Sequence, residues 1–200
     1  MSKKNKQPPT LSIILPAYNE GAHIFANLMA VCGSVKKAKF EIIVVDDGSS
    51  DNTFSETKRA AKAGYPVKVI RNETNRGKGA SLFRGFEEAK GELIAFLDAD
   101  LEIAPHHIVK LQAVMNKTSA DAVIGIKDTL ANRFPLPRQI MSAIYRHSIG
   151  FLFGLNFTDT QTGIKLFKRE VLEAAAPRLR VSRFAFDIEL LVAASRFGYQ

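Results

Sequence analysis

The hydrophobic and polar positions of this chain follow two patterns, and each pattern predicts a different element. Short, nearly continuous apolar runs bounded by acidic residues, Gly or Pro are typical of strands buried on both faces of a sheet. Such runs occupy residues 11–17, 40–47, 66–72, 92–100 and 121–127. Segments with apolar residues at helical spacing lie between them, at residues 20–35, 52–64, 79–91 and 105–117. Four β-α units and a fifth strand favour an α/β fold, with a mostly parallel twisted sheet and helices on both faces.

The pattern changes after residue 128, where loops and shorter elements replace the regular alternation. We predict the remaining elements as a loop at 129–139, a helix at 138–152, a loop, short strand and helix start at 159–172, and a final helix at 184–198. Earlier in the chain, Ser50 and Asp51 are candidate N-caps of the second helix, and Gly64 is expected to end it. Because the sequence ends soon after the final helix, we expect native C-terminal segments beyond Gln200, at minimum another strand.

Composition narrows the class of protein. The 200 residues, 46% apolar and 24% charged, predict one globular domain at 10–200, preceded by a disordered basic leader at 1–9. The single cysteine, Cys32, rules out a disulfide framework within the chain and indicates a reducing, cytoplasmic compartment. No uninterrupted apolar run reaches the roughly 18 residues that a membrane-spanning helix needs. The net charge of +8 admits nucleic acid, anionic lipid or phosphorylated substrates as partners.

Polar residues gather where the predicted strands end. The first strand ends in "PAYNE" (16–20), the second in "DDGS" (46–49) and the fourth in "DAD" (98–100). The carboxyl ends of parallel strands meet at one edge of a sheet, where open α/β folds bind their ligands. Any one of these stretches alone is equally compatible with an ordinary turn or a helix cap. Their coincidence at three strand ends favours a ligand site.

Asp98 and Asp100 form a D-x-D motif at the end of an apolar strand, with Glu102 two residues further on. Mg²⁺ and Mn²⁺ prefer oxygen ligands, and Mg²⁺ is often held by one or two carboxylates together with substrate phosphates. A bound cation also removes the repulsion that would otherwise raise a carboxyl pKa in such a cluster. We therefore predict a Mg²⁺ or Mn²⁺ site on Asp98 and Asp100, with Glu102 as a direct or water-mediated third ligand.

Basic residues flank the same predicted edge. Arg76 and Lys78 lie in a glycine-containing loop just before a helix, which suits an anion, although the spacing is not that of a Walker A loop. On the predicted helix 138–152, Arg138 and Ser142 are four residues apart and therefore share one face. Lys127 ends the fifth predicted strand and adds a fourth positive charge. An ordinary solvated loop or helix face remains the alternative for each of these groups.

Six blocks, in this order and spacing, resemble glycosyltransferase family 2: "LSIILPAYNE", "IIVVDDGSSDNT", "NRGKGAS", "FLDADLE", "DTQTGIKLF" and "FAFDIELL". The resemblance runs from about residue 10 to the end of the chain. Within the family it is greatest to the dolichyl-phosphate sugar synthases, and the last two blocks are more similar to the β-glucosyltransferase branch than to the mannose synthases. The resemblance implies a GT-A fold that binds a nucleotide-diphospho-sugar, UDP-glucose or GDP-mannose, together with a divalent metal.

The resemblance also implies site residues. The base and ribose pocket would be lined by Pro16, Tyr18, Glu20, Val45 and Asp47. The nucleotide and metal would be held by Asp98, Ala99 and Asp100, with Glu102 where the family often has a Gln ligand. Lys127 stands where mannose synthases carry an Arg near the diphosphate, and it replaces a bidentate fork by a point charge. Arg138 and Ser142 match the residues that meet the lipid phosphate, and the loop block over the sugar contains Asp159, Gln161 and Lys165.

The implied reaction is the inverting transfer of a hexose to a polyprenyl or dolichyl phosphate at the cytoplasmic face of a membrane. Asp98 and Asp100 would hold the metal at the leaving diphosphate, with Lys78, Lys127 and Arg138 adding positive charge. A lipid phosphate needs no strong base, whereas a hydroxyl acceptor would need a carboxylate, for which Asp159 is the candidate. A saccharide or cell-wall acceptor is therefore the nearest alternative. A nucleotidyltransferase would usually carry a basic Gly-rich loop where this chain has "PAYNEGAH", and a nucleic-acid-binding domain would carry an aromatic-basic motif, which is absent.

Overall fold

The computed structural model describes residues 9–36, 39–126, 162–179 and 186–200. The strands of the described part are β1 (Leu11–Ala17), β2 (Phe40–Asp46), β3 (Val67–Arg71), β4 (Leu93–Leu97), β5 (Ala122–Ile124) and β6 (Ile164–Lys168). Its helices are α1 (Ile24–Ser34), α2 (Thr53–Lys62), α3 (Lys78–Glu88), α4 (His107–Thr118), α5 (Arg169–Ala175) and α6 (Phe186–Arg196), with one 3₁₀ turn at Ala176–Arg178. Within these residues, no helix is both long enough and apolar enough to cross a membrane.

The strands form one mixed sheet in the order β3-β2-β1-β4-β6-β5. The four strands β1 to β4 are parallel, as the alternating pattern predicts. The strand predicted within 159–172 is β6, and it runs antiparallel between β4 and β5. The mostly parallel α/β prediction is therefore confirmed, but β5 does not lie beside β4 as a simple β-α succession implies. The insertion of β6 places its first residues beside the carboxyl end of β4.

Two apolar cores lie on opposite faces of the sheet, because successive strand residues point to opposite sides. In β1, Ile13 and Leu15 face α1, α2 and α4, whereas Ile14 faces α3, α5 and α6. All three side chains are fully buried. Burial on both faces explains why these strands read as continuous apolar runs and not as alternating ones. The two layers of helices leave the carboxyl ends of β1, β2 and β4 at a common edge.

The loop after β1 is tied to the start of α2. The Thr53 hydroxyl accepts a hydrogen bond from the Glu20 N–H (2.8 Å), and Asp51 Oδ2 accepts one from the Gly21 N–H (2.8 Å). Burial alone would raise the pKa of Asp51, but the bonds from Thr53 and Gly21 outweigh it and hold that pKa below its ordinary value. The predicted caps were wrong by one or two residues. Asn52 is the N-cap position, and Asp51 instead accepts from the Thr53 N–H and hydroxyl.

Candidate active site at the carboxyl edge of the sheet

A cavity of about 420 Å³ opens at the carboxyl ends of β1, β2 and β4, a size typical of small-ligand sites. Its lining comes from four separate stretches of sequence: Pro16, Ala17, Tyr18, Glu20, Asp47, Asn75, Gly77, Lys78, Asp98, Ala99 and Asp100. The strand ends that the sequence pattern singles out are thus brought together around one space. Ala17, Asn75 and Gly77 also line it; they lie in the motif stretches, but their residue types carry no chemical signal of their own.

The "DAD" stretch turns sharply as it leaves β4. The Asp98 carbonyl accepts a hydrogen bond from the Leu101 N–H (3.2 Å), and Leu101 takes a positive φ of 52°. The side chain of Asp98 forms an ion pair with the Lys78 ammonium at the first turn of α3. The Asp100 carboxylate accepts the Glu102 N–H at 3.1 Å and lines the cavity. Asp98 is therefore already neutralised by a protein cation, whereas Asp100 is exposed towards the cavity.

Glu20 belongs to the same negative region. Burial raises the pKa of Glu20, and the Asp100 charge raises it further, while His23 acts in the opposite direction. Glu20 and Asp100 line the same cavity, where their like charges repel. A cation or a ligand hydrogen-bond donor between them would relieve that repulsion. The cavity thus combines an acidic wall with the cationic Lys78.

Asp47 holds the basic loop in place. Its Oδ1 accepts hydrogen bonds from the Asn72 side chain (2.6 Å) and the Arg76 N–H (2.9 Å), and its Oδ2 accepts the Gly77 N–H (2.8 Å). Asp47 is only 4% exposed, so these bonds compensate for burial of its charge. Sequence reasoning gave Asp47 a role in the pocket but missed this second role, and it missed Asn72 altogether. The only available signal for Asn72 was a polar residue at the end of β3.

The structure places three predicted site residues away from the main cavity. Val45 is fully buried and packs in the core on the α3 face, because residues alternate along β2. Lys165, expected in a loop over the sugar, lies in β6 and is 2% exposed, paired with Asp187 at 2.9 Å. Glu102 lines a separate small recess together with Asp98. Lys127, Arg138, Ser142, Asp159 and Gln161 lie outside the described residues, and their roles stay predictions.

The carboxylates fit a divalent cation as part of its coordination shell. Within the described ranges, no group of three or more His, Cys, Asp or Glu side chains is arranged to hold a metal ion. Asp98 and Asp100 nevertheless supply the hard oxygen donors that Mg²⁺ and Mn²⁺ prefer, and Mg²⁺ commonly needs only one or two of them beside substrate phosphates. The donor set is thus suited to a metal that arrives with a phosphorylated ligand.

A comparison with protein families identifies the chain's relatives. The sequence profile described as Glycosyl transferase family 2 matches residues 12–175, most of the chain. The chain belongs to glycosyltransferase family 2. The family resemblance drawn from the six sequence blocks is therefore confirmed.

Two curated members of the family show the range of its relatives. The chain is 30% identical over 209 residues to the dolichyl-phosphate beta-glucosyltransferase of Saccharomyces cerevisiae, covering 93% of this chain and 63% of that one. It is also 30% identical over 187 residues to the dolichol-phosphate mannosyltransferase of Pyrococcus furiosus, covering 91% and 52%. The chain thus spans less than two thirds of the length of either relative.

Solved structures support the fold. A mannosyltransferase from Pyrobaculum calidifontis, in complex with GDP-Man and Mn²⁺, superposes with a TM-score of 0.69 at 23% identity. The match covers 98% of this chain and 54% of that chain. At this identity the likeness establishes the shared GT-A fold of the glycosyltransferase.

Proposed function

We propose that this family 2 glycosyltransferase transfers a hexose from UDP-glucose or GDP-mannose to a polyprenyl or dolichyl phosphate, with inversion at the anomeric carbon. The observation that carries the proposal is the cavity at the carboxyl edge of the sheet, which Asp98, Asp100 and Lys78 line together, with Lys78 paired to Asp98. The names of both curated relatives support the lipid phosphate as acceptor. Such an acceptor would bring the enzyme to a membrane surface.

The donor's parts match different walls of the cavity. Tyr18 is 49% exposed at the rim, beside Pro16, and offers an aromatic face on which a nucleotide base can stack. Asp98 and Asp100 would hold Mg²⁺ or Mn²⁺, which when bound neutralises charge that develops on the leaving diphosphate. The mannosyltransferase solved with GDP-Man and Mn²⁺ supports this pairing of metal and sugar nucleotide.

Lys78 contributes positive charge on the diphosphate side. It is the first residue of α3, and the free N–H groups and dipole of a helix N-terminus favour an anion there. In this structure its ammonium pairs with Asp98, and both side chains are 33% exposed. A partly exposed ion pair is weak enough to be exchanged, so an incoming diphosphate can take Lys78 as a partner. Lys78 would then stabilise the leaving group electrostatically.

The acceptor determines whether a base is needed. A lipid phosphate is already anionic at neutral pH and can attack the anomeric carbon in one in-line displacement. A hydroxyl acceptor would first have to lose a proton to a carboxylate. The lipid reaction therefore needs no catalytic base, whereas the saccharide alternative does.

The acceptor is tested by incubating the chain with Mn²⁺, dolichyl phosphate vesicles and UDP-[¹⁴C]glucose or GDP-[¹⁴C]mannose. We expect label in the organic-extractable phase with one of the two donors. Label that appears only in aqueous saccharide products would exclude the lipid acceptor and favour the alternative.

The site is tested by a thermal-shift titration with the same donors and Mn²⁺. We expect Asp100→Ala to lose the metal-dependent stabilisation while keeping the wild-type melting temperature without ligand, because Asp100 is exposed. Glu173→Ala is the matched control, since it removes an exposed carboxylate from α5, which begins at the opposite edge of the sheet. An Asp100→Ala response equal to that of the wild type would refute the site assignment.

A further inference from the structure

A buried lysine lies directly behind the acidic strand end. Lys165 is the second residue of β6, opposite Phe96 of β4, and only 2% of its surface is exposed. Its Nζ donates a hydrogen bond to the Thr162 carbonyl at 2.6 Å and lies 2.9 Å from Asp187 Oδ1 on α6. Burial lowers the pKa of Lys165, and the Asp187 charge opposes that shift. Burying a charged group costs free energy that apolar packing does not offset, so we expect this lysine to have a role other than packing.

The lysine and the aspartate contribute in different ways. The bond from Lys165 Nζ to the Thr162 carbonyl meets the geometry of a hydrogen bond. Asp187 Oδ1 lies within ion-pair distance of Lys165 Nζ, but within the described residues no donor is aligned for a hydrogen bond to it. The directional contact of the lysine is thus made with the backbone at Thr162, while Asp187 compensates its charge. Lys165 and Asp187 together thus stabilise the turn at Thr162 and Gly163, which leads into β6.

That turn is in direct contact with Asp98. The Gly163 carbonyl accepts the Asp98 N–H at 3.0 Å. A Cβ atom at Gly163 would lie 2.3 Å from Asp98 Oδ2 and 2.8 Å from its Cγ, so the carboxylate rests against the glycine backbone. Both the backbone and the side chain of Asp98 are therefore positioned by the turn.

Helix α6 anchors the other end of the arrangement. Phe186, next to Asp187, packs edge-on against Phe83 of α3, with ring centroids 5.0 Å apart, and also contacts Phe96 of β4 at 6.3 Å. Asp187 itself is 6% exposed. The negative partner is thus held on a well-packed helix and not on a flexible loop.

We infer that Lys165 and Asp187 are positioning residues, which fix the Thr162–Gly163 turn and through it set the Asp98 carboxylate for binding the sugar nucleotide. The inference rests on the proposed function for the ligand, but the placement of Asp98 is independent of it. Neither residue is among those that line the cavity. The competing view is that the pair only stabilises the core. Buried ion pairs are often replaced by apolar residues without loss of stability, so stability and positioning can be separated by mutation.

The test compares Lys165→Met, the double variant Lys165→Met/Asp187→Leu, and the control Lys168→Met. Lys168 lies three residues further along β6 and is paired with Asp121 at 2.7 Å, near the opposite edge of the sheet. We measure the melting temperature, the hydrogen exchange of the Asp98 amide relative to amides of β1, and the Kd for UDP-glucose and GDP-mannose with Mn²⁺.

Lys165→Met is expected to lower the melting temperature, because it leaves Asp187 buried and unpaired, and the double variant should recover most of it. In both variants we expect hydrogen exchange of the Asp98 amide to be about tenfold faster. This is the change expected when the free energy of local opening falls by the contribution of one hydrogen bond. The donor Kd should rise about 10- to 100-fold, as for loss of residues that orient a ligand. Lys168→Met should leave both quantities at the wild-type value.

The inference would be overturned if the double variant regains stability and also keeps wild-type exchange at Asp98 and wild-type donor Kd. The pair would then only stabilise the core. If the wild-type chain binds neither donor, the proposed function fails. The exchange rate of the Asp98 amide then still decides whether the pair positions that residue.

Discussion

The contact between Gly163 and Asp98 gives the sharpest test of how the site is built. Gly163→Ala places a methyl carbon 2.3 Å from Asp98 Oδ2, 2.8 Å from its Cγ and 3.3 Å from its Cβ. Non-bonded carbon and oxygen atoms need well over 3 Å, so the carboxylate must move by about 1 Å. Gly163 does not have a positive φ, and the backbone there accepts an alanine. The substitution therefore acts on the carboxylate and not on the chain conformation.

The cost to stability is expected to be small. Asp98 gives up its partly exposed ion pair with Lys78, about 0.2–1 kcal/mol, and takes a strained side-chain angle, about 0.5–1.5 kcal/mol. Alanine offsets about 0.4–1 kcal/mol of this by restricting the unfolded chain. The net loss is about 0–2 kcal/mol, too little to unfold a typical domain. A catalytic group displaced by about 1 Å, in contrast, can lower the rate about 100-fold.

The assay pairs urea unfolding with hexose transfer and with calorimetric titration of the donor and Mn²⁺. Gly33→Ala on α1 is the matched control, because no described heavy atom beyond its own helix backbone and chain neighbours lies within 4 Å of its added Cβ. It should raise stability by up to about 1 kcal/mol and leave transfer unchanged. Gly163→Ala with wild-type transfer and wild-type donor affinity would refute the placement of Asp98. A loss of stability above about 3 kcal/mol would instead indicate damage to the packed core.

Three further outcomes are expected. Asn72→Ala removes a donor from the buried Asp47 carboxylate and should lower the free energy of unfolding in urea by about 1–3 kcal/mol, whereas a change near zero would contradict the role of Asn72. Gly48→Ala introduces a side chain at φ 74°, with its Cβ 2.7 Å from the Thr74 carbonyl carbon, and should cost about 1–3 kcal/mol in the same measurement. In melting curves from acid to alkaline pH, Lys168→Met should differ most from the wild type around neutrality. The hydrogen bond between the two side chains holds the pKa of Asp121 below its ordinary value and the pKa of Lys168 above its own. The stabilisation by this pair is therefore lost as pH falls through the Asp121 pKa or rises above the ordinary lysine pKa. A difference that does not depend on pH would contradict the pairing.

The parallel part of the fold follows from the sequence because burial on both faces leaves a clear signal. The continuous apolar runs predicted β1 and β2 to within one residue of their observed ends. The position of β6 leaves no such signal. Its neighbours β4 and β5 are separated from it by about 40 to 70 residues, and an apolar strand fits either side of β4 equally well. Sheet order is decided by tertiary packing, which a local pattern does not contain.

The site divides in the same way. Asp98 and Asp100 could be placed from the sequence, since residues that follow a buried parallel strand must emerge at the carboxyl edge. The role of Asp47 in holding the Arg76 and Gly77 amides depends on how a distant loop folds back, and no spacing encodes it. Lys165 carried only a weak signal, because a lysine between Ile164 and Leu166 also fits a strand whose second face is exposed to solvent.

Lys78 and Lys165 both act on Asp98, and they differ in role because they differ in burial. Lys78 meets Asp98 where both side chains are a third exposed, so water and ions compete for the contact and the pair can exchange partners. Lys165 is buried together with Asp187, and separating the two would leave a buried charge unpaired. This pair therefore stays formed while ligands bind and leave. An anionic ligand can therefore draw Lys78 away from Asp98 without loosening the turn on which Asp98 rests. The antiparallel β6 makes this separation of tasks possible, because it brings a fixed cation behind the strand end whose front is open to the cavity.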